Sequence, residues 1–233
     1  MAHPTPIITD KASNVTRQQT LLLRGGILTL VFFPLLLTGC KEGKQFGMQP
    51  PTFDFTRIDA KGKEYKGDGH YPTHPWACVR DNPTTLVWEV KTTEGLHAAG
   101  NTYTWLNNDA ATNGGDKGTA DGGSCLDSRC DTESYIAALN QAQTCGYKDW
   151  RLPRRDELST IVDFSIPHPG PTIASQYFPN TDPNAYWTAT PFGPHESGVW
   201  AWRFDHGYDF VEQKNKALHV LAVRGTPALA KKK

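Results

Sequence analysis

Apolar residues recur along the chain with two different spacings. They alternate with other residues from Thr85 to Lys91, from Tyr186 to Thr190 and from Val199 to Phe204, which is typical of strands. Thr102 to Trp105 is a shorter segment of the same kind. Leu218 to Val223 is apolar except for one histidine and is predicted to be a central strand.

The first of these strands is predicted to be half buried. Leu86, Trp88 and Val90 share one face, which is expected to pack in the core. Glu89 and Lys91 lie on the other face, which is expected to meet solvent.

The last strands are predicted to form a hairpin. Asp205-His206-Gly207 has the composition of a tight turn, and a return strand begins at Tyr208. Before the turn, Trp200, Trp202 and Phe204 lie on one face, and this alternation predicts that they belong to the core.

Two segments have helical spacing instead. Thr132 to Gln143 places its apolar residues three and four positions apart, and Asp131 or Thr132 can accept the first free N–H groups. The stripe comprises Tyr135, Ile136, Leu139 and Ala142. A second helix is predicted from Arg154 to Phe164, with Leu158, Ile161 and Val162 turned inward.

A polar and aromatic corner joins the two predicted helices. Gly146 can take a left-handed conformation after the first helix, and Pro153 suits the start of the second. Trp150 is expected to be a core residue whose indole N–H finds an acceptor. Asp149 and Arg151, which flank it, are expected to pair. The order of elements predicts an α+β domain.

Length and charge narrow the classes of function. The chain has 233 residues, which fits one domain with a tail, and its formal net charge is zero. A nucleic-acid partner would require a basic surface, so no nucleic acid is expected.

The N-terminus has the features of an export signal. Arg17 and Arg24 precede an apolar run that ends at Leu37-Thr38-Gly39-Cys40, and the run is shorter than the roughly 20 residues that span a bilayer. This order predicts a lipoprotein signal peptide over residues 1–39, with Cys40 lipidated. The alternative is an ordinary secretory signal. The lipid would anchor the protein to a membrane, and Lys41 at the next position favours the outer membrane of a bacterial envelope.

The composition of the flanking segments predicts no fold for them. Residues 40–75 are polar and rich in Gly, Pro and Lys, so we expect a flexible tether. The end of the chain, residues 227–233, is expected to be a disordered basic tail.

Four cysteines remain once Cys40 is set aside. An even number in an exported domain predicts two disulfides, and four cysteines allow three connectivities. We favour Cys125–Cys130 within a glycine-rich loop and Cys78–Cys145 between the first strand and the end of the first helix. The alternative is a four-thiolate zinc site, although its usual Cys-x-x-Cys pairs are missing.

The segment between residues 107 and 131 is the longest without a regular pattern. Its carboxylates suit Ca²⁺, and the candidate ligands are Asp109, Asp116, Asp121 and Asp127. The spacing matches no EF-hand, so the alternative is a solvated loop closed by a disulfide. No other cofactor is expected.

Several motifs together resemble the Lcl C-terminal domain-like family, which is named after the end domain of a collagen-like surface adhesin. They are Cys78-Val79, Leu86-Val87-Trp88-Glu89, Asn101-Thr102-Tyr103-Thr104-Trp105, Asp149-Trp150-Arg151-Leu152-Pro153 with Asp156-Glu157-Leu158, Tyr186-Trp187-Thr188-Ala189-Thr190 and Val223-Arg224-Gly225. The resemblance covers residues 76–226. The sequence departs from the family pattern at Arg154, where the family usually has Thr or Ser.

The resemblance implies a fold more strongly than an activity. It suggests a C-type-lectin-like or formylglycine-generating-enzyme-like domain, with two helices and a small antiparallel sheet whose terminal strands meet. The enzymes of that fold use free thiols, and no catalytic motif occurs in this sequence, so no enzyme activity is expected.

Aromatic and polar side chains near the last strands predict a binding face. Aromatic rings beside carboxylates suit sugars, which have an apolar face and a polar edge. The candidate ligand-binding residues are Trp105, Tyr186, Trp187, Arg203, Asp205, His206, Tyr208 and Asp209. We therefore expect a lipid-anchored envelope protein that binds a glycan or another surface polymer. The alternatives are a scaffold for other envelope proteins and an enzyme of the formylglycine-generating type.

Overall fold

The computed structural model describes residues 52–227, and the predicted signal peptide, Cys40 and the tail beyond residue 227 lie outside them. This part of the chain forms ten strands and two α-helices. They are β1 (Phe55–Ile58), β2 (Cys78–Asp81), β3 (Val87–Glu89), β4 (Tyr103–Thr104), α1 (Thr132–Gln141), β5 (Trp150–Arg151), α2 (Arg155–Ser159), β6 (Ala185–Pro191), β7 (Gly198–Arg203), β8 (Tyr208–Gln213), β9 (Ala217–Leu218) and β10 (Val223–Arg224). The α+β prediction is confirmed. No helix among these residues is long and apolar enough to cross a bilayer.

The largest sheet has five strands in the order β1-β2-β3-β10-β5, and each neighbouring pair is antiparallel. The last strand, β10, therefore lies between β3 and β5. The first and the last strand of the domain thus belong to the same sheet. The predicted single strand from Leu218 to Val223 is instead β9 and β10, joined by a buried extended segment.

The prediction that residues 40–75 form a flexible tether is wrong for the part that the structure describes, from residue 52 onward. Phe55 to Ile58 pairs with Asp81 to Cys78 as an edge strand, and both Phe55 and Ile58 are buried. Trp76 is buried as well, against the rings of Tyr65 and Tyr71. Four residues are too few to show a period, which is why the composition of this segment concealed a strand.

A second sheet has the order β6-β7-β8, and its hairpin turns through Asp205-His206-Gly207 as predicted. Gly207 has φ of 70°, which favours glycine there. Trp202 and Phe204 are buried as expected, but Trp200 is only half buried, so the prediction that it belongs to the core is wrong. The Arg155 guanidinium is centred 3.7 Å from the Trp200 ring and covers part of it.

β3 is buried on both faces, in contrast to the prediction. Leu86, Trp88 and Val90 pack in one hydrophobic cluster, as expected. Glu89 and Lys91 on the opposite face are 0% and 2% exposed, because α1 and the segment before β10 cover that face.

The first helix begins as predicted, with the Asp131 carboxylate accepting from Ser134 N–H at 2.8 Å. Tyr135 and Leu139 are buried, but Ala142 lies beyond the end of the helix and is exposed. After a short turn, Gly146 adopts the expected left-handed conformation, with φ of 78°. The Trp150 indole donates to Thr144 O at 3.0 Å, so this core residue has the acceptor that it needs.

The second helix is shorter than predicted, since it ends at Ser159 rather than Phe164. Val162, which the prediction placed in the helix, instead forms an isolated antiparallel bridge with Ile173. At the start, Glu157 Oε2 accepts from Arg154 N–H at 2.7 Å. This is one half of a capping box, and the arginine side chain has no acceptor for the other half.

We expect Arg154→Thr to stabilise the domain by about 1 kcal/mol, because its hydroxyl can accept from the Glu157 N–H. The exposed ion pairs that Arg154 makes contribute little, and Glu157 keeps its pairing with Arg151. Thermal unfolding should show a midpoint about 2–4 °C higher. Arg154→Ala is the control, and an equal rise in that variant would show that capping is not the cause.

Two disulfides hold the domain with the connectivity that we favoured. Cys78 pairs with Cys145 and Cys125 with Cys130. The first bond closes a segment of 67 residues, so it restricts the unfolded chain far more than the second, which spans five.

Candidate functional site

A cleft of about 540 Å³ opens between the long loop, the first turns of α1 and the corner after Trp150. Its apolar lining consists of Leu106, Ile136, Leu152, Ala189 and the buried Trp105. Hydrogen-bonding side chains surround this floor, namely Asn107, Asp109, Thr112, Glu133 and Arg154. The volume is within the range of small-molecule sites, roughly 300–1,000 Å³.

The loop side of the cleft is held in place by α1. Thr132 Oγ1 donates to Leu106 O and accepts from Leu106 N–H, both at 2.9 Å. The exposed Glu133 carboxylate accepts from the backbone and the side-chain amide of Asn108. The rim is therefore ordered by bonds within the domain.

The corner side of the cleft depends on Arg151. Its guanidinium donates two bonds to the Glu157 carboxylate, each 2.7 Å, and a third to Gly225 O at 2.8 Å. The expected pair between Asp149 and Arg151 is wrong, because Asp149 pairs with Arg224 across the neighbouring strands. The Arg224 hydrogen bonds hold the pKa of Asp149 below its usual value. Arg151 thus shapes the cleft, and the Arg154 side chain, which also lines it, is half exposed.

The model of one protein family, the Lcl C-terminal domain, matches residues 77–224. The chain belongs to the Lcl C-terminal domain family. Comparison with curated proteins and with solved structures returned no match.

The matched region contains every residue that lines the cleft, whereas β1 and the segment up to Trp76 lie before it. The corner from Asp149 to Pro153, which carries one of the family motifs, therefore forms one side of the cleft. Trp150 anchors it in the core, Arg151 and Glu157 fix its shape, and Leu152 and Arg154 face the cleft.

The eight predicted ligand-binding residues do not form one site. Trp105, Tyr186 and Trp187 are at most 1% exposed, and the indoles of both tryptophans bond to backbone carbonyls. A ligand-binding role is wrong for Tyr186 and Trp187, which are core residues. Trp105 lines the cleft but is only 1% exposed.

The other five lie on the β7–β8 hairpin, outside the cleft. Arg203 pairs with Asp205 at 2.6 Å. Burial would raise the pKa of Asp205, but the hydrogen bonds from Arg203 and His206 together with their charges outweigh it and lower the pKa. Asp209 pairs with Arg155, and Tyr208 is exposed. Arg203 and Asp205 are thus paired within the hairpin, whereas Asp209 is paired with α2.

The four candidate calcium ligands are not brought together. Among residues 52–227 no three His, Cys, Asp or Glu side chains form a group that could hold a metal. Asp109, Asp116 and Asp121 accept from backbone N–H groups of their own loop. The Lys214 ammonium binds the carbonyls of Asn113 and Asp116, so a lysine occupies the carbonyls that a cation would use.

Sequence reasoning missed a buried cluster centred on Glu89. Its Oε1 accepts from Lys91 Nζ at 2.9 Å, lies 2.9 Å from His97 Nδ1 and also accepts from the Tyr135 hydroxyl. Its Oε2 accepts from Ala222 N–H at 3.0 Å. Burial would raise the pKa of Glu89, but Lys91, His97 and Tyr135 outweigh it and lower the pKa to about 2. The signal that could have revealed the cluster is an acid and a base two residues apart on one face of a strand.

Proposed function

We propose that this Lcl C-terminal domain is the non-catalytic binding part of a lipid-anchored bacterial envelope protein, and that the cleft binds a glycan or another surface polymer. The family match supports association with a surface. The pattern of residues before Cys40 supports the lipid anchor, and Lys41 supports the outer membrane. No nucleic acid is expected among the partners, because the chain carries no net charge.

The single observation that carries the proposal is the composition of the cleft. A sugar ring can place its apolar face on Ile136 and Leu152, while its hydroxyl groups meet Asn107, Glu133 and Arg154 at the rim. Pairing of all four cysteines in disulfides supports a role without catalysis, because the enzymes to which the fold is likened use free thiols.

Glycan binding can be tested with the oxidised chain from residue 41 to residue 233. On an array of bacterial and host surface glycans, we expect one class to be retained, with and without added calcium. Ile136→Ser removes part of the apolar floor, and Arg154→Thr removes a rim donor while stabilising the helix. Each should weaken binding roughly tenfold or more.

His206→Ala is the matched control, since His206 lies on the hairpin and outside the cleft. Loss of binding in that variant alone would place the site on the hairpin. Retention of no glycan, together with a stable complex with an envelope protein that free sugar does not dissociate, would favour a scaffold instead.

A further inference from the structure

The sheet edges of the described region differ in how they are covered. At β1, Tyr65 N–H donates to Arg57 O at 2.9 Å, and at β6, Trp187 N–H donates to His219 O at 2.9 Å. At β5 a side chain covers the edge instead. Trp150 N–H donates to Asn140 Oδ1 at 2.7 Å, and Asn140 Nδ2 donates to Trp150 O at 3.0 Å. The chain thus protects these edges from pairing with other proteins.

β8 forms the edge of its sheet and has no such cover among residues 52–227. Just beyond it, Lys214 N–H donates to Ser197 O at 3.0 Å. In an antiparallel pair the direction of the backbone groups alternates, so Glu212, Phe210 and Tyr208 turn theirs toward β7. Asp209, Val211 and Gln213 turn theirs away from it.

Only two of these three outward residues have free backbone groups. Gln213 N–H donates to the Glu212 carboxylate and Gln213 O accepts from Lys216 N–H, each at 2.9 Å. Asp209 and Val211 have no backbone hydrogen bond at their outer edge within the described region. The open edge therefore presents two N–H and two C=O groups.

We propose that this edge pairs with β8 of a second copy of the chain. In an antiparallel pair centred on Phe210, Asp209 of each copy lies opposite Val211 of the other. All four outward groups of each strand then find partners, in four hydrogen bonds across the two-fold axis. A register centred on Val211 would instead place Asp209 opposite Gln213, whose groups are already used.

The side chains agree with this register. Phe210 faces its own copy, and Tyr208 lies opposite Glu212, so aromatic surface is covered and no like charges oppose each other. Tyr208 and Val211 are 46% and 36% exposed in the single chain, and pairing would cover both. The pairing joins two three-stranded sheets into one.

Sedimentation and amide hydrogen exchange test this with the chain from residue 41 to residue 233, which contains every residue that the structure describes. We expect a dimer that dissociates on dilution. The Asp209 and Val211 amides should gain protection as the concentration rises, while the Tyr208, Phe210 and Glu212 amides stay protected throughout.

Val211→Pro removes an outward N–H without breaking a bond to β7, so it should weaken dimer formation roughly tenfold or more while the fold remains. Val211→Thr is the control, because it keeps the N–H group. A monomer at all concentrations would overturn the proposal. A dimer would also overturn it if Val211→Pro did not weaken the dimer and the Val211 amide of the wild type stayed unprotected. A foreign peptide bound at β8 of a monomeric chain would also overturn it.

Discussion

Replacing Glu89 with Gln is expected to destabilise the domain by about 3–5 kcal/mol, measured as the free energy of unfolding in denaturant. Glu89 is fully buried and accepts from Lys91, Tyr135 and Ala222 N–H. The substitution leaves the Lys91 ammonium buried without its counter-charge, which is far more costly than the loss of one hydrogen bond.

The matched control is the double variant Glu89→Gln with Lys91→Met. It removes both charges and keeps the approximate volume, so it should be more stable than Glu89→Gln alone. A single variant within about 0.5 kcal/mol of the wild type would contradict the assignment of a buried ion pair, because only surface changes are usually so mild.

Acid should have the same effect as the substitution. The pKa of Glu89 is lowered from 4.5 to about 2 in the folded protein, so its contribution is present above pH 4.5 and is lost as the pH falls through about 2. The shift corresponds to about 3 kcal/mol. The wild type should lose that much more stability than the double variant over this range of pH.

Local signals in the sequence predicted the parts of the fold that depend on neighbouring residues. The Asp131 cap, the left-handed Gly146 and the Asp205-His206-Gly207 turn each follow from the chemistry of a few adjacent positions. The disulfide pairing was also predicted, since one bond is local and the other joins the ends of two predicted elements.

Features that need distant segments could not be predicted in this way. Alternation assigned the two faces of β3 correctly, but it gives no information on whether a helix covers the second face. The cleft likewise combines Leu106, Ile136, Leu152 and Ala189, which are separated along the chain. An aromatic count in turn does not distinguish Trp187 in the core from Trp200 at the surface.

Deleting the segment before Trp76 is expected to destabilise the domain by about 5 kcal/mol or more, although the family match begins at residue 77. The truncated chain loses the four residue pairs between β1 and β2 and the buried side chains of Phe55 and Ile58. It also loses Arg57, whose guanidinium lies 4.5 Å from the rings of both Trp76 and Tyr177. Trp76 would be left without most of the contacts that bury it.

Denaturant unfolding of chains that begin at residue 52 and at residue 76 measures this difference. The chain that begins at residue 52 keeps every contact of β1 that the structure describes, so it serves as the reference. Phe55→Ala should cost about 3 kcal/mol, because its ring packs edge-on against Tyr177 and Phe178. Equal stability of the two chains would mean that β1 adds nothing to the stability of the sheet, and that β2 can serve as its edge strand. A large loss would mean that this member has extended the family core, and that the stable domain begins before its family motifs.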